Sequence, residues 1–302
     1  MKLSVFFRAL AVASLLTSLD AAAAERDPFE TYGTGAIGST PPVEVTWSLG
    51  SPLRAGTTQF GDLETLHIHA GYVQSFAVND DLHWLGGVDW RRFSASVPAG
   101  APVPNTLQSL AIVIGADWRF RDDWRVRLEA LPGVYSDFND FSGRDFNVPF
   151  AAFISYDLNP RLTIGAQINV DARRESPVVG IPGIRWRFAN RWLLSLWIPR
   201  PQVEYQLADE WTLFAGGSFA GGTYVVAKDF GTRQGRAALD NQAVDFQEVR
   251  VGAGFRYTVA KKLALEVGGG WTIDRRYHFH ERDLLLNGRG APYVQCSFGL
   301  TF

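Results

Sequence analysis

The feature that most limits what this chain can fold into is one turn used six times. Val78/Leu82, Phe120/Trp124, Leu158/Leu162, Phe188/Trp192, Leu207/Trp211 and Val259/Leu263 are apolar pairs, and each brackets three residues: NDD, RDD, NPR, ANR, ADE and AKK. Around each pair apolar residues recur at every second position, as in Leu110, Ile112, Ile114, Ala116, Trp118 and Phe120. A period of two is that of a strand with one apolar and one polar face. A three-residue hairpin keeps both flanking side chains on the same face. One unbroken apolar surface therefore runs from strand to strand.

Following this period from Val43 to the end gives about fourteen strands. The connections between the short turns are longer and irregular: 51–61, 94–106, 136–146, 171–177, 227–242 and 275–290, with a tight exception at 199–201. Short turns at one end and long loops at the other predict an all-β, antiparallel, up-and-down transmembrane barrel with its short turns on the periplasmic side. The strands flanking 199–201 are short; without them the count is twelve. A soluble sandwich would pack the apolar face on a second sheet and spread its tryptophans along the strands. Here Trp84, Trp118, Trp124, Trp186, Trp192 and Trp211 lie beside the short turns, as an interfacial girdle requires. Under a single parity rule nine of the ten Trp point to the apolar face, and only Trp197 points inward.

Residues 1–24 read as a secretory signal: Lys2 and Arg8, an apolar stretch over 9–19, and an A-x-A exit before Glu25. Residues 25–42 are a Gly- and Pro-rich lead-in, and 43–302 the barrel. Removing Lys2, Arg8 and Asp20 from 29 basic and 31 acidic side chains leaves 27 against 30, which gives no case for a nucleic-acid partner. The single cysteine, Cys296, excludes an intramolecular disulfide.

The last strand alternates Val294, Cys296, Phe298, Leu300 and Phe302. It resembles the closing strand of Gram-negative outer-membrane barrels. That resemblance implies that Phe298, Leu300 and Phe302 are read by the barrel-assembly machinery, and that outer-membrane lipid and lipopolysaccharide surround the protein.

The polar parity collects the charges: Asp117, Arg119, Arg125, Arg127, Glu129, Arg185, Arg187, Glu248, Arg250, Arg256 and Glu266, together with Glu44, Asp89, Arg91 and Glu204. Turn register sets Asp117 opposite Arg127, Arg119 opposite Arg125, and Arg256 opposite Glu266. The like pair calls for a counter-charge from elsewhere. Two readings follow. These residues line a water-filled lumen and select small solutes by charge, or they form a salt-bridge network that fills the barrel, as in eight-stranded examples.

Catalytic, cofactor and metal sites are not expected. His67 and His69 share one face of a strand, and His278 and His280 lie near Glu281, but no third metal ligand stands at a diagnostic spacing. There is no Ser-centred motif, and the GxG at Gly252–Gly254 opens no helix.

From Pro182 the run PGIRWRFANRWLLSLWIPRPQVEYQLADEWTLFAGGSFAGGTYVV resembles a family of bacterial outer-membrane barrel proteins known as a domain of unknown function. The resemblance implies architecture and location and carries over no site residues. Fatty-acid-type transporters also have fourteen strands, but they carry an N-terminal hatch, for which the short 25–42 segment offers little room. The leading expectation is a passive or weakly selective pore for small hydrophilic solutes. The alternative is a closed structural barrel whose outer loops (Arg233, Arg236, Arg275, Arg276, Arg282) contact lipopolysaccharide or a partner. A lipid-modifying barrel enzyme is a third.

Overall fold

The computed structural model describes residues 43–259, 263–288 and 290–300. The signal and lead-in segments, the AKK turn and Phe302 lie outside the described residues. Seventeen strands join in one closed sheet: β1 (Val43–Ala55), β2 (Thr58–Ala77), β3 (Leu82–Ser96), β4 (Thr106–Arg121), β5 (Trp124–Ala130), β6 (Gly133–Ser136), β7 (Phe146–Asn147), β8 (Phe150–Asn159), β9 (Leu162–Val170), β10 (Val178–Ala189), β11 (Trp192–Ser195), β12 (Gln202–Gln206), β13 (Trp211–Val225), β14 (Ala243–Val259), β15 (Leu263–Phe279), β16 (Leu284–Gly288) and β17 (Ala291–Leu300).

These make fourteen wall strands, because three of them are interrupted. Ala111↔Gly133 lies on the same ladder as Ile114↔Ala130, so β6 continues β5 past Leu131 and Pro132. In the same way β7 continues into β8 along one register, and β16 into β17. The pairing Val43↔Phe298 closes the barrel. The hairpin around 199–201 forms, so the count is fourteen and not twelve.

Burial alternates along the wall. Leu107, Ser109, Ala111 and Val113 are buried, whereas Leu110, Ile112 and Ile114 are each more than half exposed. The exposed face is an apolar belt with aromatic rings in contact near the short turns. Trp118, Phe120, Trp124 and Tyr156 form one chain of neighbours, and Trp186, Phe188, Trp192 and Tyr205 another, with centroids 4.7–6.0 Å apart. Among the described residues no helix is long and apolar enough to cross a membrane.

Two expected loops are corrected. Residues 51–61 are the tip of the β1–β2 hairpin, and most of 275–290 belongs to β15 and β16. The cause is a β-bulge in each case. The β1–β2 register shifts between Ser48 and Ser51, and the β14–β15 register shifts between Val249 and Arg250. An extra residue turns every later side chain to the other face. The buried set thus passes from Glu44, Thr46 and Ser48 to Ser51 and Leu53, and from Glu266 and Thr272 to Arg275, Tyr277 and Phe279. A single parity rule fails beyond a bulge, which is why Arg275 looked like a loop residue.

The core sits inside the barrel at its long-loop end. Leu53, Leu63, Phe93, Tyr224, Phe246, Tyr277 and Phe279 from the wall pack with Ala101 and Val103 of loop 97–105, and with Val226, Ala227, Phe230 and Leu239 of loop 226–242. Strand β13 ends by leaning across the mouth. Val225 pairs with Ser136, six wall strands away. Asp137 N–H donates to Val225 O at 3.2 Å, and Ala227 N–H donates to Asp137 Oδ2 at 3.0 Å.

Candidate functional site

Beneath this apolar seal lies a waist of charged side chains. On β14 and β15, Glu248 accepts from Arg250 Nε and from Arg275 Nε, each at 2.5 Å. The two guanidiniums then reach across β17 and β1. Arg250 meets Thr46 Oγ1 at 3.2 Å and His67 Nδ1 at 3.4 Å. Arg275 donates to Thr65 Oγ1 at 2.9 Å and to Leu63 O at 3.3 Å. Nearer the short turns, Glu266 accepts from Arg256 Nε at 3.0 Å and from Arg200 Nη2 at 2.9 Å, and Arg256 also reaches Glu204 at 3.2 Å. Arg200 comes from connection 196–201, and its Nη1 lies 4.0 Å from Glu44 on β1. That spans the lumen from the β11–β12 hairpin to the opposite wall.

The other half of the waist is built on β2 to β5. Asp89 accepts from His69 Nε2 at 2.7 Å and from Arg91 Nε at 2.9 Å. Asp117 takes both fork donors of Arg125 at 2.6 Å, and Arg127 pairs with Glu129. The backbone register is the expected one, with Asp117 opposite Arg127, Arg119 opposite Arg125, and Arg256 opposite Glu266. Arg256 and Glu266 pair directly across their strands, whereas on β3 to β5 the ion pairs run diagonally or along one strand. Asp117 serves as the counter-charge to Arg125, while Arg119 is exposed at the short-turn end. Arg185 and Arg187 are half-buried below the waist. Phe298 is half-buried on the closing strand, against Val43 of β1.

In this conformation the middle of the waist is dry. In a wide aqueous channel these side chains would be wetted. Instead Glu129 and Arg275 are 0 %, Glu248 1 % and Arg250 2 % exposed. Carboxylates set between paired guanidiniums offset part of the cost of taking those charges out of water. The waist is packed in this conformation. Toward the short turns the inner face opens: Ser75, Ala77 and Asp157 are exposed, forming a vestibule.

At the long-loop rim, His278 Nδ1 lies 3.0 Å from Glu175 and His280 Nδ1 lies 3.4 Å from Asp245, while Glu281 contacts Arg144. Among the described residues no group of three or more His, Cys, Asp or Glu could hold a metal ion. Of the loop arginines, Arg233 pairs with Asp229 and Arg276 with Asp274. Arg275 belongs to the buried waist.

The sequence pattern does not reveal Arg200 or the sealing aromatics Tyr224 and Phe230, and it places Arg275 in an outer loop instead of the waist. The one available signal for Arg200 was its place between two prolines in a connection flanked by unusually short strands.

The family described as Domain of unknown function (DUF6268) matches residues 90–286, and the chain belongs to it. No curated protein matches the chain in sequence. Among solved structures it is similar to an outer membrane channel from Pseudomonas putida F1, at 12% identity and TM-score 0.44, covering 91% of this chain and 100% of that one. It is also similar to the P. putida toluene transporter TodX, at 9% identity and TM-score 0.43, covering 89% and 92%. The NanC porin follows at 11% identity and TM-score 0.37, covering 86% and 100%. The barrel stands on its own ladders and not on these likenesses.

Proposed function

We propose that this chain is a channel-type barrel of the Gram-negative outer membrane, shut in the described conformation by loop 226–242 and the waist beneath it. The membrane reading rests on a closed barrel, which leaves no unpaired sheet edge around most of its wall, and on an apolar exterior belt. The short turns and vestibule then face the periplasm and the sealed mouth faces outward. The observation that carries closure is that Val226, Ala227, Phe230 and Leu239 fill the mouth above buried charges.

Two features favour a channel over a purely structural barrel. The seal is made by a loop, which can move without breaking the wall. The waist keeps buried charges where an apolar filling would stabilise at least as well, so their retention suits a path that becomes wet on opening. Passage of small hydrophilic solutes requires both layers to part.

The test is single-channel conductance in planar bilayers of the wild type beside a variant with residues 226–239 replaced by a short Gly-Ser linker. The reading expects a mostly silent wild type and frequent steps from the variant. Silence from both, with heat-modifiable gel mobility showing folded barrels, would leave the closed structural reading.

A further inference from the structure

The barrel wall is incomplete on one side. A membrane-spanning strand needs about 9–11 residues. Strand β10 has 12 and β13 has 15, but β11 and β12, between them, have 4 and 5. The last bonds of this short hairpin are Leu196 N–H to Ile184 O, Gly217 N–H to Pro201 O and Phe219 N–H to Pro199 O. Above them, residues 178–183 of β10 have β9 on one side only, and residues 220–224 of β13 have β14 on one side only. Among the described residues neither edge has a strand partner at that height. Pro182, without an N–H, stands on the open edge of β10, and proline is confined to such positions in a sheet. The aromatic girdle on β10 and β11, Trp186 and Trp192, lies close below, so the notch opens at the depth of the apolar belt.

What lies behind the notch is not finished either. The inner face of β13 carries Gly216, Ser218, Ala220 and Gly222, half-buried where the next strand is packed. At the floor, Trp197 turns inward from the hairpin tip and lies on Gly165 and Gly183, where a Cβ on Gly183 would come within 2.4 Å of its ring. One step up the same face stands Gln167, opposite Ile181. Trp197 and Gln167 are 6 % and 4 % exposed, yet among the described residues Trp197 Nε1 and Gln167 Oε1 have no hydrogen-bond partner, and neither does Ser218 Oγ. A buried donor and acceptor left unmade are costly, and here they are neighbours on one face.

We infer that the notch is a lateral portal through which the barrel takes up, from the bilayer, an apolar molecule bearing one neutral hydrogen-bonding group such as a hydroxyl. The apolar part lies along the small-residue face of β13, and the hydroxyl accepts from Trp197 Nε1 and donates to Gln167 Oε1. The inference needs only the membrane-embedded barrel of the reading above, not its gating.

The test uses the full chain in nanodiscs with Cys296→Ser and a single new cysteine, Ala220→Cys behind the notch or Ser109→Cys on the complete wall. Apolar N-cyclohexylmaleimide should label Ala220→Cys well ahead of Ser109→Cys, and a sulfonated maleimide should not. Equal rates at the two positions, or equal labelling by both reagents, would overturn the portal. Dodecan-1-ol should protect Ala220→Cys at about tenfold lower concentration than dodecane, the value of a hydrogen bond in an apolar site. That advantage should vanish in Gln167→Leu and Trp197→Phe. Equal protection by both compounds would overturn the hydroxyl site. Brominated lipids quenching belt tryptophans in the same nanodiscs check the membrane reading separately; no quenching there would sink that reading and not the portal alone.

Discussion

Arg200 Nη2 donates to Glu266 Oε2 at 2.9 Å, joining a hairpin on one side of the barrel to the strand beside the closing seam. Glu266 holds Arg256 at the same time. The two partners are therefore unequal. Glu266→Gln leaves two guanidiniums facing a neutral amide in a dry waist and should cost about 3–5 kcal/mol, the range for breaking a buried pair. Arg200→Gln should cost clearly less, because Glu266 keeps Arg256. Urea unfolding in micelles, followed by heat-modifiable mobility, ranks the two.

Trp197 depends on glycine. A methyl at residue 183 has no room beneath the indole, so Gly183→Ala should destabilise by about 1–3 kcal/mol, as overpacking does. Adding Trp197→Leu should recover most of that loss. A double-mutant cycle reads the coupling, and strict additivity would mean that the ring is not pressed against this wall.

The belt predicts a sharp asymmetry between faces. Ile112 is 57 % exposed on β4 at the middle of the apolar face. Ile112→Arg should lower folding stability in lipid by about 2–4 kcal/mol, the cost of a cation at the bilayer midplane. The loop substitution Arg236→Leu should do almost nothing. Equal effects would argue against a lipid-facing β4.

The loop that seals the mouth should respond to acid. Asp240 accepts from Thr232 N at 2.8 Å and from Thr232 Oγ1 at 2.5 Å. Those bonds favour the ionised form and hold its pKa below the usual carboxylate value. A depressed pKa contributes stability that is present above the unfolded value, about 3.9, and is lost as pH falls through the folded one. Amide exchange over 229–240, divided at each pH by the intrinsic rate, should therefore be slow at neutral pH and quicken relative to that rate in acid. Asp240→Asn should show the quickened pattern at neutral pH.

Much of the wall was legible in the sequence, because alternation and three-residue turns are local. Leu110, Ile112, Ile114, Trp118 and Phe120 are exposed from backbone geometry alone, with Ala116 half-buried among them. Where an extra residue enters, as before Arg275 and Leu53, parity reverses and the local rule sends side chains to the wrong face. The seal was not legible for a different reason. Nothing local separates a loop that extends into water from one that folds back into its own barrel, and Phe230 and Leu239 stand nine residues apart, which puts them on one face of neither a strand nor a helix. The charges of the waist and the Arg256–Glu266 pair were legible from turn register, but the partners of Arg200 were not, since Arg200 meets Glu44 and Glu266 only through closure of the ring.

The central claim is that the mouth is held shut where β13 crosses to β6. The direct measurement is the single-channel record of Ser136→Cys/Val225→Cys in a Cys296→Ser background, before and after reduction. These two positions are paired across the mouth, so a disulfide there fixes the closed arrangement. The account predicts no openings under applied voltage while the bond is intact, and openings that return on reduction. Identical conductance in the oxidised and reduced protein would contradict it.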